Sequence, residues 1–426
     1  MFLRRAAPLV HPVGNLSLPE PAIIRLSNGI PLYVLHFPAQ EVLKVEVVFR
    51  AGRPQETKRL ASRTTARLLR EGTHTRTGAE IAEFFDFYGA SVSVPTNLDT
   101  ANVILYALSK YAAEVMPVFS DILLDPIFPE TELENYRRTS IQELSVELEK
   151  VETIAYRKVT ELIFGEHHPY GYNSTETDYQ QINREDVQQF YRQWYRPENC
   201  LIFASGCVDE NTIALIERNL GGWETGEAAA STKLPQNPNQ TTAGPEKMHL
   251  PHPGSLQTAI KIGRRAFGRK HPDFNGLFVL NTILGGYFGS RLMTNIREKK
   301  GYTYNIYSTL DAYINDGCFY IATEVNPENT SAAIKAIFLE MKKLCDKLVQ
   351  ESELEMVKNY LLGMILNGLD GPLNASDLVK NVIVEDLPWE SFSQMVHDIR
   401  TITPQGLQAL ARRYLQPQDF WVITVG

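Results

Sequence analysis

The chain repeats part of itself without a gap, and this repeat constrains the fold more than any other feature. The segment NREDVQQFYRQWYRPENCLIFASG, Asn183 to Gly206, aligns with TPQGLQALARRYLQPQDFWVITVG, Thr403 to Gly426. Asn and Thr are preferred just before a helix. Apolar residues then recur at helical spacing, and an apolar run ending in glycine follows. Each copy is therefore predicted to be a helix followed by a strand, within duplicated domains.

A weaker repeat extends the similarity between the two halves. Residues 100–128, TANVILYALSKYAAEVMPVFSDILLDPIF, resemble residues 317–344, GCFYIATEVNPENTSAAIKAIFLEMKKL. Each copy indicates a strand, a short turn and an amphipathic helix. Val42–Phe49 alternates as in an antiparallel sheet with one covered face. We predict an α+β fold of two homologous domains, each an antiparallel-rich sheet backed by helices, with a cavity between them.

A change in composition divides the chain. Small, polar, Pro and Gly residues dominate ETGEAAASTKLPQNPNQTTAGPEK, which shows no apolar periodicity and is typical of an exposed linker. We therefore predict an N-terminal α+β domain over residues 1–225, a linker over 226–247 and a C-terminal α+β domain over 248–426.

Charge and hydropathy exclude two classes of partner. The 426 residues carry a formal net charge of −8 and show no Lys/Arg-rich block, which argues against nucleic acid. No apolar run approaches the roughly 20 residues of a membrane span. Because neither a signal peptide nor a transmembrane segment is recognised, a cytoplasmic location is the default expectation.

The second half contains ILGGYFGSRLMTNIREKKGYTYNIYS, Ile283 to Ser308. This string resembles the signature of the C-terminal half of the pitrilysin/insulinase zinc metallopeptidases, a family that includes the mitochondrial processing peptidase. FGEHHPYG, Phe164–Gly171, and the Gly72-Thr73 turn extend the resemblance over most of the chain. The resemblance implies two homologous α+β domains that form a clamshell around a central cavity holding an extended peptide.

The family's zinc motif is degenerate in this chain. Catalytic members carry His-x-x-Glu-His in the first domain, with a Glu from a later helix as third ligand. By the resemblance, the motif corresponds to Arg63, Thr64, Thr65, Ala66 and Arg67, and the later ligand to Glu143, which could pair with an arginine. A guanidinium has no lone pair for a metal, and Ala66 cannot take a proton from water. The resemblance therefore implies a non-catalytic subunit with no metal or other cofactor in this chain.

The resemblance assigns Arg297 and Tyr304 to substrate binding. In family members the matching Arg and Tyr reach the substrate beside the zinc, where they can donate hydrogen bonds to a peptide carbonyl and its oxyanion. The implied function is that of a metal-free subunit of a heterodimeric zinc peptidase. It would supply these two residues in trans to a homologous zinc-bearing partner with His-x-x-Glu-His, and extended peptides would be the substrates. The isolated chain could instead form a homodimer.

Other interpretations compete with this one. The chain could be a catalytically inert structural or peptide-holding protein, similar to the respiratory-chain core subunits. Arg297 would then pair with Glu298 or another acid at a helix end, and Tyr304 would pack in a strand. The glycines Gly285, Gly286 and Gly289 indicate a turn with positive φ and close backbone contact rather than a phosphate loop, since no Gly-Lys-Ser/Thr follows. The pairs His167-His168 and His249-x-x-His252 lack a third metal ligand at credible spacing.

Overall fold

The structure, a computed structural model, describes residues 13–224 and 244–426. Two β-sheets lie in it, one built from strands before the gap and one from strands after it. Most of the predicted linker, 226–247, lies outside the described residues, and Lys247 already begins a strand. None of the described helices combines the length and apolar composition that crossing a bilayer requires.

The first sheet has six strands in the order β1-β2-β6-β3-β5-β4. Their bounds are β1 Ala22–Arg25, β2 Pro31–His36, β3 Val42–Phe49, β4 Ser91–Ser93, β5 Ala101–Leu108 and β6 Cys200–Gly206. All neighbours are antiparallel except β2 and β6, which are parallel. The helices of this half are α1 Ala61–Leu68, α2 Gly78–Phe87, α3 Ala112–Leu124, α4 Glu130–Leu148, α5 Val151–Phe164, α6 Glu176–Gln181, α7 Arg184–Trp194 and α8 Glu210–Leu220.

The second sheet has five strands in the order β7-β11-β8-β10-β9. Their bounds are β7 Lys247–Leu250, β8 Thr258–Ala266, β9 Ile306–Ala312, β10 Gly317–Val325 and β11 Trp421–Val425. Only β7 and β11 are parallel neighbours. The helices are α9 Phe274–Asn281, α10 Thr330–Asp346, α11 Glu351–Gly368, α12 Pro372–Val384, α13 Ser391–Thr401 and α14 Pro404–Tyr414, with π-helical segments at Thr282–Gly286 and Met293–Lys299.

Both predicted repeats are present, and the predicted fold class is confirmed. Helices α7 and α14 begin and end at aligned residues, and Asn183 and Thr403 each cap the following helix with a side-chain oxygen. A short 3₁₀ turn and then β6 or β11 come next in each copy. The second repeat gives β5 and α3 in one half and β10 and α10 in the other. The two halves therefore share one topology, in which each sheet has helices packed against it.

Each half of the chain contributes one helix that covers the sheet of the other half. Helix α5 belongs to the first half, yet Val159 and Ile163 pack against Gly263 of β8. Helix α12 belongs to the second half, yet Val384 packs in one cluster with Phe203 of the first sheet. Each sheet is thus covered on one face by helices of its own half and on the other by a helix of the opposite half, which buries apolar side chains on both faces.

Buried ion pairs accompany the exchange. Glu46 of β3 lies opposite Phe203, and Lys261 of β8 lies opposite the repeat-equivalent residue Ile423. Glu46 is fully buried and pairs at 2.9 Å with Lys380 of α12, whereas Lys261 pairs at 3.0 Å with Glu152 of α5. The two equivalent positions therefore carry opposite charges, and each pairs with a residue of opposite charge on the exchanged helix.

The lysines of the two sheets titrate differently. Lys44 contacts both Glu46 at 3.0 Å and Asp377 at 2.7 Å. Burial opposes its charge, but the two carboxylates raise the pKa of Lys44 above its usual value. Lys261 has one carboxylate partner, and burial therefore lowers the pKa of Lys261 despite the contact with Glu152.

We predict that replacing Glu152 destabilises the protein more than replacing its partner Lys261. Glu152→Gln should lower the free energy of unfolding by about 2 kcal/mol at pH 7, because it leaves the buried ammonium of Lys261 unpaired. Lys261→Met should cost less than about 1 kcal/mol, since Glu152 keeps 49 % of its side chain exposed and stays solvated. Urea unfolding measures both values.

The pH dependence of the free energy of unfolding tests this explanation. Folding weakens proton binding at Lys261, so stability rises with pH between the lowered pKa and the ordinary lysine value near roughly 10.4. Glu152→Gln removes a carboxylate that raises this pKa and should therefore lower the pKa of Lys261 further. The deficit of the variant should shrink as pH rises towards the wild-type pKa of Lys261, and it should stay constant above that pKa. Equal costs for the two variants, or a deficit independent of pH, would contradict this account of the exchanged helix.

Candidate functional site

The candidate residues lie beside the outer strands of the two sheets. Strand β4 ends the first sheet and β9 ends the second, at equivalent places in the strand order. Val94, Pro95 and Thr96 follow β4 and line a cavity with Arg63, Arg67 and Glu143. Tyr304 lies just before β9, in contact with Arg297. The structure thus forms two separate groups, one at each sheet edge.

Helix α1 presents its two arginines on one exposed face. It begins after Leu60, whose φ of 71° is left-handed, and the Glu56 carboxylate accepts from the Ser62 N–H at 3.0 Å. Thr65 faces the interior and donates to the Val187 carbonyl of α7 at 3.3 Å. The opposite face carries the predicted residues Arg63 and Arg67 one turn apart.

Ala66 lies on the buried side of the same helix, with only 2 % of its surface exposed. Its methyl group packs where the resemblance implies a general base. The segment therefore forms a stable helix without any of the three functional side chains of the family motif.

A cavity of ≈ 450 Å³ separates α1 from α4. It brings together the predicted residues Arg63, Arg67 and Glu143, which are far apart in sequence. The other lining residues are Leu68, Glu71, Val94, Pro95, Thr96, Glu132, Asn135, Tyr136, Thr139 and Ser140. In the described part of the chain, Glu143 forms no ion pair with either arginine, so the pairing considered from sequence is not made.

Tyr136 lines this cavity, but its hydroxyl is buried and lies close to the hydroxyls of Thr64 and Ser140. Burial raises the pKa of Tyr136, while the positive charge of Arg63 and the two neighbouring hydroxyls act in the opposite direction. The Tyr136 hydroxyl is therefore enclosed by protein, and the exposed polar groups of the cavity are those of the charged side chains.

The side chains of this cavity do not fit zinc. Zinc in such a site needs imidazole, thiolate or carboxylate donors and one open position. Two guanidinium groups and one methyl group supply no lone pair, and Glu143 alone does not make a site. Across residues 13–224 and 244–426, no three His, Cys, Asp or Glu side chains cluster in a way that could hold a metal ion.

The histidine pairs have structural partners. His168 is buried, stacks on Phe164 and accepts a hydrogen bond from the Tyr170 N–H at 3.1 Å. His249 lies in β7 and contacts Thr424 Oγ1 at 3.0 Å, whereas His252 contacts Ser255 at 2.8 Å. The two members of His249-x-x-His252 therefore have separate partners.

Arg297 and Tyr304 are brought together at the edge of the second sheet. Arg297 Nε donates to the Tyr304 carbonyl at 2.9 Å, and its guanidinium lies 4.8 Å from the centre of the Phe288 ring. The Tyr304 side chain is 90 % exposed. Within the described residues Arg297 has no ion pair with Glu298, and Tyr304 does not pack inside a strand. The alternative roles considered for these two residues are therefore not realised.

The glycine prediction for this segment is half right. None of Gly285, Gly286 and Gly289 has a positive φ. Gly285 and Gly286 end the π-helical segment Thr282–Gly286, and Gly289 lies in the turn that follows it. The predicted close backbone contact is present, since a Cβ on Gly285 would lie 2.5 Å from the Ser308 nitrogen. This contact holds the turn against β9, next to Arg297.

Sequence reasoning missed several residues of these sites. Tyr136 lies in a polar helix with no motif around it, and Phe288 stands inside the quoted signature without an assigned role. Glu56 lies outside the cavity lining, and it holds the start of α1 by accepting from the Ser62 N–H. Burial raises the pKa of Glu56 to about 7, although the Tyr172 hydroxyl donates to it at 2.6 Å and lowers it. Only its position before the degenerate helix could have suggested it.

The fold and the cavity together define the class of protein to which the chain belongs. Two related α+β halves, with substituted metal-ligand positions beside the edge of the first sheet, are the features of a two-domain metallopeptidase fold without its metal-binding side chains. The family model described as "Insulinase (Peptidase family M16)" matches residues 34–169, and that described as "Peptidase M16 inactive domain" matches residues 181–361. The chain belongs to this family, and its sequence contains no His-x-x-Glu-His.

Known proteins resemble the chain over nearly its whole length. The uncharacterized zinc protease YmxG of Bacillus subtilis is 22 % identical over 392 residues, covering 91 % of this chain and 93 % of its own. The uncharacterized zinc protease Rv2782c of Mycobacterium tuberculosis is 23 % identical over 419 residues, covering 96 % and 94 %.

Solved structures share the fold. A peptidase M16 inactive domain from Pseudomonas fluorescens has a TM-score of 0.86 at 20 % identity, covering 95 % of this chain and 98 % of its own. A protease from Helicobacter pylori has a TM-score of 0.87 at 16 % identity, covering 96 % of this chain and all of its own. At these identities the similarity shows the fold and carries no assignment of residues.

We predict that two substitutions create a metal site in this cavity. Arg63→His with Arg67→His places two imidazoles one turn apart, and Glu143 on the facing helix supplies a carboxylate. The double variant should bind about one equivalent of zinc, measured by titration calorimetry and by metal analysis after dialysis. Adding Glu143→Ala should abolish this binding. A double variant that binds no zinc, or binds it equally well without Glu143, would contradict the placement of these positions.

Proposed function

We propose that this chain is the metal-free subunit of a heterodimeric zinc peptidase. In this role it contributes Arg297 and Tyr304 in trans to a homologous zinc-bearing partner that hydrolyses peptides. The chain itself needs no cofactor. The observation that carries the proposal is the exposure of the Tyr304 phenol, 90 %, beside an arginine held by a hydrogen bond to the Tyr304 carbonyl.

An exposed phenol next to a fixed guanidinium is suited to a substrate. Arg297 uses Nε for the Tyr304 carbonyl, and its remaining N–H donors stay available. A phenol and a guanidinium can both donate to a peptide carbonyl oxygen and to the oxyanion that develops from it. Contact between the Phe288 ring and the guanidinium limits the conformations of Arg297 before substrate arrives.

The free edges of β4 and β9 are suited to bind an extended peptide. In the described sheets β4 and β9 each pair on one side only. An extended peptide can add to such an edge through main-chain hydrogen bonds, which tolerate many sequences. This supports extended peptides as substrates and places Tyr304 at the start of one edge.

The division of labour follows from the chemistry of the first half. Arg63, Ala66 and Arg67 supply neither zinc ligands nor a general base, so hydrolysis requires a second chain that has them. A competing function, an inert structural or peptide-holding protein, would use the same strand edges without cleavage. Activity in a mixture of the two chains separates the two functions.

We predict that peptide cleavage appears only when the purified chain is mixed with a homologous His-x-x-Glu-His chain from the same genome. Arg297→Ala in this chain should lower kcat/KM of the mixture about 100-fold, as expected for the loss of an oxyanion donor, and Tyr304→Phe should also lower it. Arg218→Ala, an exposed arginine of α8, is the matched control. Full activity with Arg297→Ala and Tyr304→Phe, or with the partner alone, would contradict the proposal.

A further inference from the structure

We propose that the cavity between α1 and α4 binds a carboxylate group of an extended peptide, with Arg63 and Arg67 as its ligands. The proposal rests on the peptide-binding function above and adds a substrate class to it: peptides with an acidic side chain or a free carboxyl terminus at this position. The substituted metal site thereby has a binding role of its own.

The two arginines lack partners inside the chain. Both are exposed at the ≈ 450 Å³ cavity, and within residues 13–224 and 244–426 neither forms an ion pair or side-chain hydrogen bond. Arg291 shows the usual alternative, with two hydrogen bonds of 2.8 and 2.7 Å to the Glu353 carboxylate. A guanidinium matches a carboxylate in the same two-bond geometry. Two such groups, one helical turn apart, are suited to hold one carboxylate between them.

The acidic residues of the cavity narrow the choice of anion. Glu71, Glu132 and Glu143 also line it, but Glu71 and Glu132 face a neighbouring cavity around the Gly72–Gly78 turn as well. Their charges repel a multiply charged anion such as a phosphate dianion more strongly than a singly charged carboxylate. Glu143 can accept from the N–H of a peptide group next to the bound carboxylate.

The position of the cavity connects it with an extended peptide. Val94, Pro95 and Thr96 line it and directly continue β4, the outer strand of the first sheet. A peptide paired with β4 projects alternate side chains to each face of the sheet. One of these side chains, or the carboxyl terminus, can therefore enter between α1 and α4.

Peptide binding to the full chain tests this proposal. Three fluorescein-labelled peptides share a neutral Ala/Ser sequence of about 12 residues, roughly 40 Å when extended. One has a central Glu and an amidated terminus, one a central Gln and an amidated terminus, and one a central Gln and a free carboxyl terminus. Fluorescence anisotropy gives the Kd for the wild type, for Arg63→Gln/Arg67→Gln and for the control Arg218→Gln.

We expect at least one carboxylate peptide to bind the wild type and the control about tenfold more tightly than the neutral peptide. The Glu and free-terminus peptides separate the two sources of the carboxylate. The advantage should disappear in Arg63→Gln/Arg67→Gln. The charge-reversed variant Arg63→Glu/Arg67→Glu should bind a fourth peptide, with a central Lys and an amidated terminus, more tightly than the neutral peptide. Matching thermal unfolding curves show that the variants remain folded.

Equal binding of all three peptides by the wild type would overturn the carboxylate site and leave the proposed peptide-binding function intact. A carboxylate advantage that survives in both arginine variants would also overturn it. No binding of any peptide, to the chain alone or mixed with its zinc-bearing partner, would instead reject the proposed function together with this site.

Discussion

The exchange of one helix between the halves is the constraint on which the rest of the structure depends. Helix α5 covers the second sheet and α12 covers the first, and each brings a charged residue to a buried charge on the strand beneath it. Breaking the halves apart would leave Lys261 without its carboxylate partner, would remove Lys380 from Glu46, and would expose the apolar faces of both sheets. The exchange therefore holds the two sheets together through packing and charge.

Contacts between loops reinforce this arrangement. The Asp99 carboxylate of the first half accepts from the Ile314 N–H of the second at 3.0 Å, and the Tyr170 hydroxyl also donates to it. A cavity of ≈ 420 Å³ beside these residues is lined by both halves. With the halves fixed in this way, β4 and β9 remain outer strands of the described sheets, each paired on one side only. The degenerate zinc cavity lies at one of these edges and the exposed Tyr304 at the other.

Much of the fold could be predicted from sequence because the repeat consists of local patterns that indicate helices and strands. Caps, helical periodicity and apolar runs placed α7 with β6 and α14 with β11, and both pairs are present. The helix exchange could not be predicted, since α5 and α12 carry ordinary amphipathic patterns that do not indicate which sheet they cover. Glu46 and Lys261 can be recognised as equivalent positions with opposite charges only once the strand register is known.

For the candidate site, too, sequence predicted part of the arrangement and tertiary packing set the rest. The resemblance assigned roles to Arg63, Arg67, Glu143, Arg297 and Tyr304. In the structure the first three line one cavity, and the last two contact each other at the edge of the second sheet. Local sequence did not show that Glu143 would stay unpaired with the arginines or that Tyr136 would bury its hydroxyl beside the same cavity. These properties depend on the distance between α1 and α4, which tertiary packing sets. The positive φ expected for Gly285 and Gly286 failed because π-helical turns supply the bend instead.

The most direct test of the central claim is a crystal structure of the wild-type chain soaked with zinc, with diffraction data collected at the zinc absorption edge. The account predicts no anomalous peak between α1 and α4, because guanidinium groups occupy the ligand positions. A zinc ion coordinated by side chains around residues 63–67 and Glu143 would contradict it.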